Sequence, residues 1–195
     1  MSGEKRAAVF IDRDDTLMAC RSLPARAGVT PGDVTDPGQV SLLPGARDAC
    51  RALSHAGYML VVFTNQGVVA RGGCGVDDVA RVNERLCELL RDGPPSGASL
   101  IDAVYFCPFH PLGSVPEFAR EHPWRKPAPG MILAAAEDHA LNLARSWVIG
   151  DQRRDIEAGR AAGIADDRLL MIGERGRARD FAHAAEIVLG RGEHH

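Results

Sequence analysis

Val9-Phe10-Ile11-Asp12-Arg13-Asp14-Asp15-Thr16-Leu17 is a buried-strand signal that runs straight into acids. Three apolar residues drive a strand inward, and Asp12 and Asp14 follow at alternate positions where it must end. Two carboxylates side by side at a strand terminus are unfavourable unless a cation or a developing positive charge lies between them. Taken alone, the stretch also fits a solvated acidic turn after an edge strand. The buried approach points instead to a metal-assisted active site.

Outward from that stretch, strand-like runs alternate with helical patterns along the whole chain. The strands are expected at Ala7–Ile11, Met59–Phe63, Ala103–Phe106, Trp147–Ile149 and Arg168–Ile172. Their apolar continuity suggests burial on both faces, as parallel strands require. Helices are expected at Gly45–Ala56, Val76–Arg91, Gly130–Leu141, Arg154–Ala162 and Arg179–Leu189. Ala80, Leu86, Leu89 and Leu90 fit one helical stripe, and Ile132, Leu133 and Ala136 another. This order predicts an α/β fold, a doubly wound, mainly parallel Rossmann-like sheet with helices on both faces.

Two stretches break the rhythm. Met18–Ser41 is rich in proline and glycine, and Cys107–Pro129 holds six prolines together with His110 and His122. Loops of this length are uncommon in compact domains and tend to be functional. Both follow a strand, and ligands of such sheets sit beyond the carboxyl ends of the strands. Arg191–His195 is expected to be a frayed tail whose two histidines are not ligands.

The chain has 195 residues, 45% of them apolar and 25% charged, with a formal net charge of −3. That balance gives no general reason to expect nucleic acid or an anionic membrane as partner. No apolar run approaches the ~20 residues that span a bilayer, and no signal-peptide pattern opens the sequence. A cytoplasmic protein is the default expectation. The five cysteines are odd in number and show no CxxC pair, so a disulfide framework is not expected; Cys50 and Cys87 sit in helical patterns as small core residues.

Three further motifs follow strands. Thr64-Asn65-Gln66-Gly67 supplies a hydroxyl and two amides that donate to an anion without adding charge, although a plain capped turn would look the same. Arg125-Lys126-Pro127 puts two cations at a stiff corner ahead of a helix, suited to phosphate oxygens but also to a solvated turn. Trp147-Val148-Ile149-Gly150-Asp151 again ends a buried strand in a carboxylate, with Asp155 four residues on as a second acid or as a helix-terminus acid. Trp147 itself reads as core. Four such motifs past the ends of strands in one sheet add up to oxygen ligands for a hard cation, a nucleophilic carboxylate, neutral donors and a lysine. That combination is a phosphoryl-transfer centre.

In motif and order the chain resembles the haloacid dehalogenase-type phosphohydrolases, through Asp12-Arg13-Asp14-Asp15-Thr16, Thr64-Asn65, Lys126, and Gly150-Asp151 with Asp155. Thr64-Asn65-Gln66, Ala70-Arg71-Gly72, Cys107-Pro108 and Arg125-Lys126-Pro127 resemble the branch that holds the D-glycero-D-manno-heptose-1,7-bisphosphate and histidinol-phosphate phosphatases. Pro111–Phe118 looks closer to the heptose enzymes. The resemblance implies one domain over residues 1–195 with no large cap, its pocket shaped by loops at about 18–41 and 107–129.

It also implies roles. Asp12 would attack phosphorus and form an aspartyl-phosphate, and Asp14 would protonate the leaving sugar oxygen and then activate water. Mg²⁺ would be held by the Asp12 carboxylate, the Asp14 main-chain carbonyl and Asp151. Thr64 and Lys126 would stabilise the phosphoryl group; Asn65, Gln66 and Arg125 would bind substrate, with Arg125 towards a second phosphate or the sugar. Asp155 would support Lys126 or the metal shell. Asp15 replaces a glycine common in the family and is expected to have no chemical role. The branch often carries a structural zinc in the 107–124 loop, at positions that here read Cys107, Phe109, His122 and Trp124. Even with His110 as a third ligand the set falls short of the four that structural zinc takes, so zinc is not expected, and Phe109 and Trp124 are read as apolar packing.

The expected function is Mg²⁺-dependent hydrolysis of the C7 phosphate of a heptose bisphosphate, by a monomer whose partner is a small phosphorylated sugar. Histidinol phosphate is the second candidate substrate. A polynucleotide 3′-phosphatase should show a basic groove, which the charge argues against. A phosphate-binding module without catalysis is disfavoured because Asp12, Asp14, Lys126 and Asp151 are all retained.

Overall fold

In the computed structural model, residues 5–94 and 97–192 are described; residues 193–195, with the two expected tail histidines, lie outside them, as do residues 1–4. Five strands, β1 (Ala8–Ile11), β2 (Met59–Asn65), β3 (Ala103–Cys107), β4 (Trp147–Gly150) and β5 (Leu169–Met171), form one sheet in the order β3-β2-β1-β4-β5. Every pairing is parallel. Five helices, α1 (Ala46–His55), α2 (Val76–Leu89), α3 (Gly130–Asp138), α4 (Arg153–Ala161) and α5 (Phe181–Gly192), alternate with the strands.

Alternation along β1 sorts the core into two layers, because successive side chains leave a strand on opposite faces. Val9 and Ile11 join Leu53, Leu86 and Val188, which belong to α1, α2 and α5. Ala8 and Phe10 join Met131, Ile132 and Ala158, from α3 and α4. Phe10, Ile11, Val61 and Val148 are wholly buried, each contributing about 1.5–3 kcal/mol over the exposed state. Trp147 is 1% exposed and lies in the core as expected.

Several expectations need correction. β3 is an edge strand, and of its residues only Cys107 is fully buried, since no further strand covers its outer side. The buried stripe of α2 runs Val79, Val82, Asn83, Leu86, leaving Ala80 and Leu89 at its border. In α3 the buried set is Met131, Ile132 and Ala135, and Leu133 is 47% exposed. Helix α5 continues to Gly192, so Arg191 and Gly192 belong to a helix and not to the expected frayed tail. The 18–41 segment is not structureless: Met18, Cys20, Val29 and Val34 are buried in it, and Pro37–Gln39 forms a 3₁₀ turn.

The sheet's topology positions the site. From the central β1, the chain passes to β2 on one side, and later returns to β4 on the other. Connections that diverge in this way open a crevice at the carboxyl ends of β1 and β4. Asp12, which donates its amide to Ile149 O at 2.9 Å, stands at that crevice, across from Asp151 just past β4.

Candidate active site

Lys126 is the hub of the site. Its Nζ lies 2.5 Å from Asp12 Oδ1, 2.7 Å from Asp155 Oδ1 and 2.9 Å from Phe63 O. It also stands 4.3 Å above the centre of the Phe63 ring. The residue is 2% exposed. A lysine so buried keeps its charge only because carboxylates face it. Burial opposes the ammonium, but Asp12 and then Asp155 outweigh it and carry its pKa above the ordinary value. Asn65 fixes the lysine from behind: its side chain accepts from Lys126 N at 2.9 Å and donates to Lys126 O at 3.0 Å.

Asp12, Asp151 and Asp155 bring carboxylate oxygens within 4.8 Å of one another. Burial pushes the Asp12 carboxyl up to about 7; Lys126 opposes that rise, while Asp155 and Asp14 add to it. Burial likewise raises Asp151, whose Oδ2 accepts from Gln152 Nε2 at 2.7 Å and from Arg21 Nη2 at 3.2 Å. Against three carboxylates stand the Lys126 ammonium, on Asp12 and Asp155, and the Arg21 guanidinium, on Asp151; that still leaves a surplus of negative charge, and the donors are all oxygen. That set fits a hard dication such as Mg²⁺. Asp155, wholly buried, also accepts from Gln152 N at 2.9 Å and so ties the start of α4 to the site. A Cβ at Gly150 would fall 2.5 Å from Asp155 Oδ2, which is why the residue before Asp151 carries no side chain.

Asp14 is held on both sides. Its Oδ1 accepts from Arg13 Nε at 3.1 Å and Nη2 at 3.0 Å; its Oδ2 accepts from Gln66 Nε2 at 2.8 Å and Thr64 Oγ1 at 3.2 Å. Arg13 is completely buried, and its Nη1 donates to Asn83 Oδ1 at 2.8 Å. Asn83 lies in α2, so that helix reaches the site through a buried arginine. Sequence reasoning missed both residues, although a cation between two site acids was a readable signal. Thr64, Asn65 and Gln66 all stand at the site, and their polar groups contact Asp14 and Lys126.

Asp15 has the left-handed backbone of φ 55°, a conformation that favours glycine and tolerates Asp and Asn. Its Oδ1 accepts from the amides of Cys20 and Arg21, each at 3.1 Å. Asp15 thus starts the 18–41 loop, a structural task that the sequence reading did not assign to it.

Asp14, Asn65, Gln66, Arg125 and Asp151 line a cleft of about 460 Å³, together with residues of the 18–41 loop. Arg125 is anchored by a bond from Nη1 to Phe109 O at 3.1 Å, and burial, with the like charges of Arg154 and Arg71, lowers its pKa. Cys107, His110 and His122 are not brought together as a ligand set; among the described residues, Asp12, Asp151 and Asp155 form the one such cluster. His110 Nδ1 accepts from Leu112 N at 3.0 Å, and His122 Nδ1 from Trp124 N at 3.1 Å. Phe109 stacks on His122 with centroids 4.2 Å apart, and Trp124 packs edge-on against Tyr105. All five cysteines are free thiols.

A family model described as "HAD-hyrolase-like" matches residues 123–184. Across most of the chain there is 36% identity to D-glycero-beta-D-manno-heptose-1,7-bisphosphate 7-phosphatase from Yersinia pestis, over 182 residues, 93% of this chain and 89% of that one. The chain belongs to the haloacid dehalogenase-type phosphohydrolases, and the curated relatives it matches over most of its length are named heptose-1,7-bisphosphate 7-phosphatases. Solved haloacid dehalogenase-type proteins agree. A candidate phosphatase of this type from Mesorhizobium loti superposes with a TM-score of 0.77 at 30% identity, covering 99% of this chain and 91% of that one. The fold also matches D,D-heptose 1,7-bisphosphate phosphatase from B. bronchiseptica, complexed with magnesium and phosphate (TM-score 0.73, 24% identity, 95% and 99% coverage). The chain is a phosphatase of this family. No helix among the described residues is long and apolar enough to cross a membrane.

Proposed function

We propose that this phosphatase removes the C7 phosphate of a D-glycero-D-manno-heptose 1,7-bisphosphate, with Asp12 as nucleophile. The observation that carries the proposal is the gathering of buried Asp12, Lys126 and Asp155 with half-buried Asp151 at the crevice. The relatives' activity supplies the substrate.

Asp12 attacks phosphorus and breaks its bond to the sugar oxygen, so that an aspartyl-phosphate forms. Lys126, held by Asn65, neutralises charge on the phosphoryl oxygens as attack proceeds. Asp14 gives its proton to the departing sugar oxygen. It then takes a proton from the water that cleaves the acyl phosphate and restores Asp12. The donors from Arg13, Thr64 and Gln66 keep Asp14 in place for both transfers. Mg²⁺, held by Asp12, Asp151 and the Asp14 main-chain carbonyl, would offset the repulsion between an anionic nucleophile and an anionic phosphate. Asp155 supports Lys126. Asn65, Gln66 and Arg125 line the leaving-group side, with Arg125 towards the second phosphate. Residues 1–195 act as one domain, a cytoplasmic monomer without nucleic-acid partner or structural zinc.

The test is Mg²⁺-dependent phosphate release from both anomers of heptose 1,7-bisphosphate, histidinol phosphate, a 3′-phosphorylated oligonucleotide and 4-nitrophenyl phosphate. The highest kcat/KM is expected for one heptose anomer. Preference for histidinol phosphate or the oligonucleotide would overturn the substrate while leaving the chemistry intact.

A further inference from the structure

The mechanism above leaves the 18–41 loop without a task, yet this loop is firmly built. Val29 packs with Val68, Val69 and Val79 in an apolar cluster of its own. Gly28, at φ +72°, lies against Gly73: a Cβ on Gly28 would stand 2.7 Å from Gly73 N, and one on Gly73 2.5 Å from Gly28 O. Any side chain at either glycine would force the two loops apart.

From this junction Asp33 reaches Arg71. Asp33 Oδ2 accepts from Arg71 Nη2 at 2.6 Å, from Thr30 N at 2.7 Å and from Thr30 Oγ1 at 2.9 Å. The pair is mostly shielded, with side chains 25% and 19% exposed for Arg71 and Asp33. With Nη2 tied back, the other terminal nitrogen of Arg71 faces Gly67. A Cβ built on Gly67 would meet His110 Cδ2 at 3.0 Å, Arg71 Nη1 at 3.1 Å and Arg125 Nη1 at 3.4 Å. Two guanidinium groups and an imidazole therefore converge on one point of the cleft wall. Asp33 offsets only one of the two guanidinium charges, Arg71 still acts on Arg125 as a like charge, and forked guanidinium donors suit phosphate oxygens.

We propose that Asp33 is a positioning residue for specificity: from the 18–41 loop it aims Arg71 Nη1, beside Arg125, at a second phosphate on the substrate. The inference rests on the bisphosphate reading above and adds to it a residue and a loop. Asp33 acts by orienting a long side chain before substrate arrives, so less rotamer freedom is lost on binding. Its effect accordingly belongs in KM.

The experiment compares heptose 1,7-bisphosphate with 4-nitrophenyl phosphate, which has no second phosphate, in the wild type, Asp33→Ala and Asp33→Asn. In Asp33→Ala the ratio of kcat/KM for the bisphosphate to that for the aryl ester is expected to fall about tenfold, through KM. Asp33→Asn, whose amide oxygen still accepts hydrogen bonds, is expected to keep the ratio within about threefold of wild type. An unchanged ratio in Asp33→Ala, or an Asp33→Asn ratio as low as that of Asp33→Ala, overturns the inference. A wild type that hydrolyses the aryl ester but not the bisphosphate instead removes the substrate reading on which it rests.

Discussion

Lys126 Nζ stands between Asp12 Oδ1, at 2.5 Å, and Asp155 Oδ1, at 2.7 Å, so one buried ammonium serves two buried carboxylates. Removing it leaves two acids facing each other out of water. Lys126→Met is therefore expected to lose at least about a hundredfold in kcat and on the order of 3–5 kcal/mol of stability near neutral pH. The abandoned carboxylates would bind protons more tightly in the folded than in the unfolded chain, so the variant should regain stability as pH falls. Urea unfolding at neutral and mildly acidic pH checks both the loss and its sign.

Arg13 connects α2 to the acid/base position, with Asn83 on one side and Asp14 on the other. Arg13→Met fills similar space without charge, but frees Asp14 on one side. A loss on the order of 2 kcal/mol is expected, reduced because Asp14 keeps some access to water. The kcat should fall more than KM rises, since ground-state contacts to substrate are not removed. Denaturation and steady-state kinetics on one preparation separate these effects.

Gly150 leaves room for Asp155, since a Cβ there would come within 2.5 Å of Asp155 Oδ2. Gly150→Ala must push the carboxylate away from Lys126 or move β4. About 1–3 kcal/mol of destabilisation is expected from overpacking, accompanied by loss of activity at saturating substrate. Thermal unfolding and kcat are the measurements.

Metal binding should depend on pH. Burial raises Asp12 to about 7 in the protein without a dication, and a cation bound there favours the ionised carboxylate. Protons and Mg²⁺ then compete, so affinity for Mg²⁺ should rise with pH through about 7 and level off above it. Calorimetric titrations in buffers of different ionisation enthalpy would register the proton released. Asp151→Asn should weaken Mg²⁺ binding by at least about tenfold at every pH.

Much of this was legible in the sequence because the fold places chemistry at strand ends. Asp12, Thr64 and Asp151 each follow an apolar run, and such runs mark parallel strands whose carboxyl ends share one crevice. The helix stripes were less legible: Leu133 is apolar yet 47% exposed, because α3 buries Met131, Ile132 and Ala135 instead. Pairings across long separations left no local trace. Arg13 with Asn83 spans 70 positions, and Arg71 with Asp33 spans 38. Asp15 looked like a spare acid because its importance lies in a backbone angle, which composition does not reveal.

The central claim is that Asp12 carries the phosphoryl group. Acid quenching during turnover, followed by peptide mass analysis, tests it most directly. The prediction is a phosphoryl adduct on Asp12 that requires Mg²⁺ and disappears in Asp12→Asn together with phosphate release. Phosphate release undiminished in Asp12→Asn, or an adduct on another residue, would contradict it.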